Sequence, residues 1–313
     1  MSPAAPTASG SASSTEHKLK ILVTGRNGQV GFELQRALAP LGKVIAVGHA
    51  DCNLADGEAV RELVRRVAPD VIVNPAAYTA VDKAEADEAT AFAVNAEAPG
   101  VLGEEAARLG ALVVHFSTDY VFNGSKDGSY SEDDQPDPQS VYGGTKYAGE
   151  VALAAANARH LIMRTSWVVG AHGGNFAKTM LRLAAEREQL NVVADQFGAP
   201  TSAAVLADLT AHLVRQYQRE GADRFPYGTY HVAASGETSW CDYARFVIGE
   251  ALTAGQALKA SPETVMPLTT AQYPTPAKRP ANSRLDTSRF RNTFGLRLPP
   301  WQESVRHVLQ QIF

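Results

Sequence analysis

The chain has 313 residues, 45% of them hydrophobic and 20% charged, so it can bury a large core without covalent staples. A formal charge of -4 argues against nucleic acid as the main partner, and Cys52 and Cys241 are too few and too separated for a disulfide framework or a zinc site. No stretch approaches the ~20 apolar residues that span a bilayer, so a reducing, cytoplasmic setting is expected.

In chain order, residues 1–17 are rich in Ser, Ala, Thr and Pro and lack the basic start and apolar run of a signal peptide. A disordered tail is expected there. Short apolar runs at 19–24, 44–47, 71–74, 112–117 and 161–165 read as buried parallel strands, and between them 29–38, 57–67, 84–109 and 140–156 read as helices. Pro40-Leu41-Gly42 and Pro69-Asp70 supply turn chemistry at two joints. This alternation predicts an α/β, Rossmann-type, doubly wound parallel sheet with right-handed crossovers. The NAD(P)-binding domain is placed at 18–166, with later segments returning to it, and a smaller C-terminal α/β substrate lobe at 167–313. In that second half 175–188, 203–219 and 240–251 read as helices and 228–233 as a strand. Proline and polar residues crowd 261–282.

Directly after the first strand stands Thr24-Gly25-Arg26-Asn27-Gly28-Gln29-Val30-Gly31. Gly25 would permit a tight turn, Gly28 a close approach of backbone to a pyrophosphate, and Gly31 close packing of the following helix. The helix N-terminus offers free N–H groups and partial positive charge to phosphates, although three glycines alone also fit a plain turn. The second strand runs into Val47-Gly48-His49 with no acid at its tip. Arg26 could reach a ribose 2′-phosphate there, or be a solvated loop charge. The reading tilts to NADPH, while Asp51 downstream keeps NADH open.

At the end of the fourth strand is Phe116-Ser117-Thr118-Asp119-Tyr120, and Tyr142-Gly143-Gly144-Thr145-Lys146 opens a helix. The i, i+4 spacing puts Tyr142 and Lys146 on one helix face. A tyrosine starts near pKa 10; a nearby ammonium and the positive oxidised nicotinamide are expected to lower it. Lys146 could also hold the nicotinamide ribose. Thr118, at a strand's carboxyl end, could donate to a carbonyl oxygen on which charge builds.

With these motifs in place, the chain from about residue 20 onward resembles the dTDP-4-dehydrorhamnose reductase family of extended short-chain dehydrogenases/reductases. The resemblance also rests on residues 74–85, Ser117 to Phe122, Arg164-Thr165-Ser166-Trp167, Asn175-Phe176, residues 195–201, and Arg279-Pro280 with Ser283. It implies NADPH-dependent reduction (NADH possible) of the C4 ketone of a dTDP-linked deoxysugar. Tyr142 would be the proton donor, Lys146 its modulator, and Thr118 the group polarising the carbonyl. It implies that Gly28, Gln29, Val30, Ala77, Tyr78 and Thr79 touch the cofactor, with Tyr142 and Lys146 shared between chemistry and cofactor; Gly25, Arg26, Asn27, Gly48, Asn53, Leu54 and Ala76 complete the candidate cofactor set. Thr118, Asp119, Trp167 and Arg279 form the candidate substrate set, with Trp167 open to a core role and Arg279 to that of a surface charge.

Some members of this family dimerise through magnesium held by glutamates of both subunits. Glu33 matches the first, but Ala204 and Gln311 stand where the other acids would be. One carboxylate per chain is too few for a hard cation, so no metal site is expected, and the chain is read as a monomer or a metal-independent dimer. The rivals are a nucleotide-sugar epimerase or dehydratase and a non-catalytic dinucleotide-binding regulatory subunit. Asp119-Tyr120 lacks the Asp-Glu pair of the dehydratases, and the complete Thr118, Tyr142, Lys146 set argues against a silent subunit.

Overall fold

The computed structural model describes residues 18–313, so the tail expected at 1–17 lies outside the described residues. The first half alternates strands and helices: β1 (Leu19–Val23), α1 (Gln29–Leu38), β2 (Gly42–Ala46), α2 (Gly57–Val67), β3 (Val71–Asn74), α3 (Val81–Ala84), α4 (Glu88–Phe92), α5 (Ala98–Leu109), β4 (Leu112–Thr118), α6 (Val141–Ala156) and β5 (His160–Thr165). The second half adds β6 (Val168–Val169), α7 (Phe176–Glu186), β7 (Leu190–Val193), β8 (Phe197–Gly198), β9 (Thr201–Ser202), α8 (Ala203–Glu220), β10 (Gly228–His231), β11 (Thr238–Ser239), α9 (Trp240–Thr253), β12 (Val265–Leu268), α10 (Ser288–Phe294) and α11 (Trp301–Gln310).

Six strands form one parallel sheet in the order β10-β5-β4-β3-β1-β2. Strand side chains alternate faces, and here both faces are apolar. Ile21, Val23, Val71, Val73, Val114 and Leu161 pack toward Leu34 and Leu38 of α1, Leu206 and Leu213 of α8, and Phe290 of α10. Leu22, Ile72, Val113 and Ile162 face the other way, onto Val60 and Leu63 of α2, Leu102 of α5 and Leu153 of α6. A separate core joins α7, α9 and α11 through Met180, Tyr243, Val247, Ile248, Trp301 and Val305. Chain order reverses at β1, which has β2 on one side and β3 on the other. That arrangement opens a crevice beyond the carboxyl ends of β1 and β3.

The sequence expectation of one helix over 84–109 is corrected. The continuous helical path begins at Glu88, after Asp87 in a non-helical conformation, and passes through a π turn at Ala93–Glu97 before α5. Pro99 explains the wide turn, because it has no N–H to give the carbonyl of Asn95 four residues earlier. A Cβ added at Gly149 of α6 would lie 2.0 Å from that same Asn95 oxygen, so α6 rests directly on the turn. The 261–282 stretch, crowded with proline and polar residues, holds β12, which pairs in parallel with β7. Neither α10 nor α11 was anticipated.

Candidate active site

The crevice is a cleft of about 830 Å³, within the usual range for cofactor sites. Gly25 lies at φ +61 in the turn after β1, and a Cβ at Gly31 would fall 2.1 Å from the Gly25 oxygen. Both positions therefore demand glycine. Gly28 is the N-cap of α1 and supplies no side-chain cap, so the first N–H groups of the helix remain available to an anion beside the cleft. Thr24, Gly25, Asn27, Gly28, Gln29 and Val30 line this end, together with Gly48, Asn53, Leu54 and the Ala76, Ala77, Tyr78, Thr79 strip. Gln29 reaches into the second half, donating to Val168 O at 3.3 Å and accepting from Asn175 Nδ2 at 3.0 Å.

Arg26 is not among the lining residues but stands at the rim, its guanidinium 2.9 Å from Asp51. Asp51 also accepts the Gly48 N–H at 2.7 Å. The strand tip that has no acid in sequence thus acquires one in space, because the 48–52 turn folds back through Asp51 N–H to Gly48 O at 3.0 Å. The Tyr78 strip is held by Asn95 of the π turn, which accepts from Tyr78 N at 2.8 Å and donates to Tyr78 O at 3.2 Å. Sequence reasoning missed Asn95; its only signal was Pro99 inside a helical pattern.

Thr118, Asp119, Tyr142, Lys146 and Trp167 line the other part of the same cleft. Ser140 caps α6 by accepting the Gly143 N–H at 3.2 Å, which starts the helix at Val141 and sets Tyr142 and Lys146 one turn apart on its cleft side. Gly143 lets this end approach the turn that follows β4, since a Cβ there would lie 2.3 Å from Tyr120 O. Thr118 Oγ1 donates to Asp119 Oδ1 at 3.1 Å and accepts from Tyr120 N at 3.2 Å. The same hydroxyl stands near enough to the Tyr142 phenol to favour its phenolate.

Burial pushes Tyr142 up to about 12, partly offset by the Thr118 hydrogen bond. The lowering expected from Lys146 is not found in the protein alone, because the ammonium is turned elsewhere: it donates to Phe116 O at 2.6 Å and lies 3.1 Å from His115 Nε2. Burial brings Lys146 down to about 8, with Glu150 opposing. Asp119 is pushed up to about 6 by burial, with the Ser283 and Thr118 side chains opposing, and its buried Oδ2 makes no hydrogen bond of good geometry. An unsatisfied acceptor in the wall of a cleft suits a ligand hydroxyl.

Trp167 adopts φ +48, an uncommon backbone state for a bulky residue. Its ring stacks on Trp240 with centroids 3.6 Å apart, and both rings line the cleft. Trp240, the first residue of α9, was not singled out in the sequence. Arg279 does not line the cleft; it pairs with Asp82 at 2.7 Å. Behind the cleft, Glu150 of α6 accepts from Ser117 Oγ at 2.5 Å and from Arg164 Nη2 at 2.6 Å. These buried contacts fasten the Tyr142 helix to β4 and β5. Among the described residues no group of three or more His, Cys, Asp or Glu is placed to hold a metal ion, and no helix is long and apolar enough to cross a membrane. Glu33, Ala204 and Gln311 border a separate cleft, where Glu33 is bonded to Arg36 at 3.3 Å.

The fold and this cleft define a Rossmann-type oxidoreductase of the extended short-chain dehydrogenase/reductase class. The family model described as RmlD substrate binding domain matches residues 19–313. The dTDP-4-dehydrorhamnose reductase of Escherichia coli K12 is 50% identical over 299 residues, covering 94% of this chain and 98% of that enzyme. A crystal structure of a Clostridium acetobutylicum dTDP-4-dehydrorhamnose reductase superposes with a TM-score of 0.85 at 36% identity, over 93% of this chain and 99% of that one. The Bacillus anthracis enzyme, solved in complex with NADP, gives 0.84 at 33% identity, over 94% and 99%. The chain belongs to the family of dTDP-4-dehydrorhamnose reductases, NAD(P)H-dependent oxidoreductases.

Proposed function

We propose that the chain reduces the C4 ketone of dTDP-4-dehydro-β-L-rhamnose to dTDP-L-rhamnose in the cytoplasm, with NADPH, or NADH in its place. The observation that carries this reading is one continuous cleft holding the glycine turn at one end and Thr118, Asp119, Tyr142, Lys146 and Trp167 at the other. The glycine turn, the open start of α1 and the Ala77, Tyr78, Thr79 strip fit a dinucleotide. The residues before 167 with the returning sheet segments form the cofactor half, and much of the remainder forms the substrate half.

Bound NADPH supplies the hydride. Thr118 turns its single hydroxyl proton from Asp119 to the ketone oxygen, a hydrogen bond worth most as negative charge builds there. Tyr142 passes its phenolic proton to that oxygen, completing the alcohol. Its protonated state at neutral pH is what burial favours. Lys146 holds the nicotinamide ribose and stabilises the phenolate left after proton transfer. Asp119 accepts a sugar hydroxyl through its Oδ2, and Trp167, braced by Trp240, presents a flat apolar surface to the sugar nucleotide. Arg279 would have to leave Asp82 to meet the diphosphate.

Mixing the protein with NADPH and freshly generated dTDP-4-dehydro-L-rhamnose tests this. Nicotinamide absorbance should fall in proportion to ketone consumed, with dTDP-rhamnose formed. No ketone-dependent oxidation would remove the reading, and cofactor bound without turnover would favour a regulatory role.

A further inference from the structure

Strand β4 is apolar except at its carboxyl end and at His115, which is fully buried in mid-strand. Nothing in the reaction outlined above uses this imidazole, yet both its nitrogens are engaged. Nε2 lies 3.1 Å from Lys146 Nζ, and Nδ1 lies 3.0 Å from the Asn74 amide nitrogen. Asn74 sits opposite His115 in the β3–β4 register, and its oxygen is 2.5 Å from Thr24 Oγ1 at the end of β1. A connected row of Thr24, Asn74, His115 and Lys146 therefore runs from the end of β1 across the end of β3 and the middle of β4 to α6, with every member buried.

Donor counting assigns the protons. An ammonium has three N–H groups and no lone pair. Lys146 gives one to Phe116 O, and a second can go to His115 only if Nε2 is an acceptor. Nδ1 must then carry the proton, and Asn74 is the residue that accepts it, through its backbone carbonyl or through its side-chain oxygen with the amide turned. Imidazolium could not accept at all. Burial and the adjacent ammonium hold His115 well below its ordinary range, which keeps the ring neutral.

We propose that His115 is a positioning residue for carbonyl reduction: as a neutral imidazole protonated at Nδ1, it accepts one Lys146 N–H at Nε2. Two donors of the ammonium are thereby tied to β4, leaving one for the cleft that Lys146 lines. The functional half of this inference rests on the reductase reading, whereas the proton assignment does not. The ionisable groups around Lys146 are Tyr142 and Glu150 on its own helix, His115 and Asp119 on and after β4, and Arg164 on β5 behind Glu150. Of these, only His115 hydrogen-bonds the ammonium directly among the described residues.

Nitrogen-15 NMR of the full chain, with His115 identified by its loss in His115→Gln, reads the tautomer near pH 7. A protonated Nδ1 and bare Nε2 are expected; the opposite tautomer or an imidazolium overturns the proposal. The pH profile of kcat/KM for ketone reduction is then compared among wild type, His115→Leu and His115→Gln. In His115→Leu the ammonium loses an acceptor, so the basic limb set by Lys146 should move to lower pH by about one unit or more. The kcat should fall about tenfold, with the Kd for NADPH little changed. His115→Gln, whose amide oxygen can replace Nε2, should restore most of the rate and the limb. An unmoved limb in His115→Leu, or no rescue by glutamine, overturns the proposal. Should His115→Leu not fold, the wild-type tautomer and the limb of His115→Gln still decide, and the opposite tautomer or a displaced limb counts against the proposal. An inactive wild type with the expected tautomer would instead count against the reductase reading.

Discussion

Burial keeps the Tyr142 phenol protonated against the opposing influence of Thr118, and Lys146 is held against β4, so the ammonium is kept in reserve. Tyr142→Phe should lower kcat by about two powers of ten or more with the Kd for NADPH nearly unchanged, measured by turnover and by cofactor fluorescence. A rate within a few fold of wild type would show another proton donor. The basic limb of kcat/KM for reduction should lie near 8: Lys146 is charged below that value and loses its charge as pH rises through it. Cofactor choice turns on the Arg26–Asp51 pair at the rim. Asp51→Asn removes a carboxylate that opposes a 2′-phosphate, so the NADPH to NADH ratio of kcat/KM should rise about tenfold, whereas Arg26→Ala should lower it. Identical ratios in both variants would place the discrimination elsewhere.

Helix α6 is where element packing and chemistry meet. Its three glycines have different surroundings, which gives an internal control. A Cβ at Gly149 would strike Asn95 O, while at Gly144 nothing lies within 4 Å. Gly149→Ala should cost about 3 kcal/mol of stability and disturb the Asn95 contacts to Tyr78. Gly144→Ala should be neutral or gain about 0.5–1 kcal/mol through helix propensity. Denaturant midpoints separate the two, and equal effects would contradict the close contact of α6 with the π turn. The start of α6 was legible because Ser140 followed by an apolar helical pattern is a local cap signal. The break before Glu88 and the π turn were not, because they depend on how Pro99 and Gly149 meet across two helices. For the same reason Asn95, His115 and Trp240 passed unremarked: each is ordinary in its own segment and becomes informative only beside a distant partner.

At the scale of the molecule, the sheet that carries the site is built from both halves of the chain, with β10 against β5 and α8 against α1. Strand and helix periods made the first half readable, since each element there has one dominant apolar pattern. The second half mixes short strands with long-range pairings such as β7 with β12, whose periodicity is too brief to register. On the opposite face, Glu105 ties α5 to α2 through Arg61 and Arg65, and its carboxyl is held down at about 2, first by the Arg65 hydrogen bond. A depressed acid stabilises the fold above its ordinary pKa and loses that contribution as pH falls toward 2. Glu105→Gln should therefore cost about 1–3 kcal/mol at neutral pH and progressively less below about pH 4, read from urea unfolding across pH. A constant difference across that window would show that the ion pairs add nothing.

Following the hydrogen itself is the most direct test of reduction at this cleft. With NADPH deuterated at the nicotinamide C4 and dTDP-4-dehydro-L-rhamnose as acceptor, NMR of the product should find one deuterium at C4 of the sugar and none elsewhere. A product without deuterium at C4, or labelled cofactor returned unoxidised, would contradict the account.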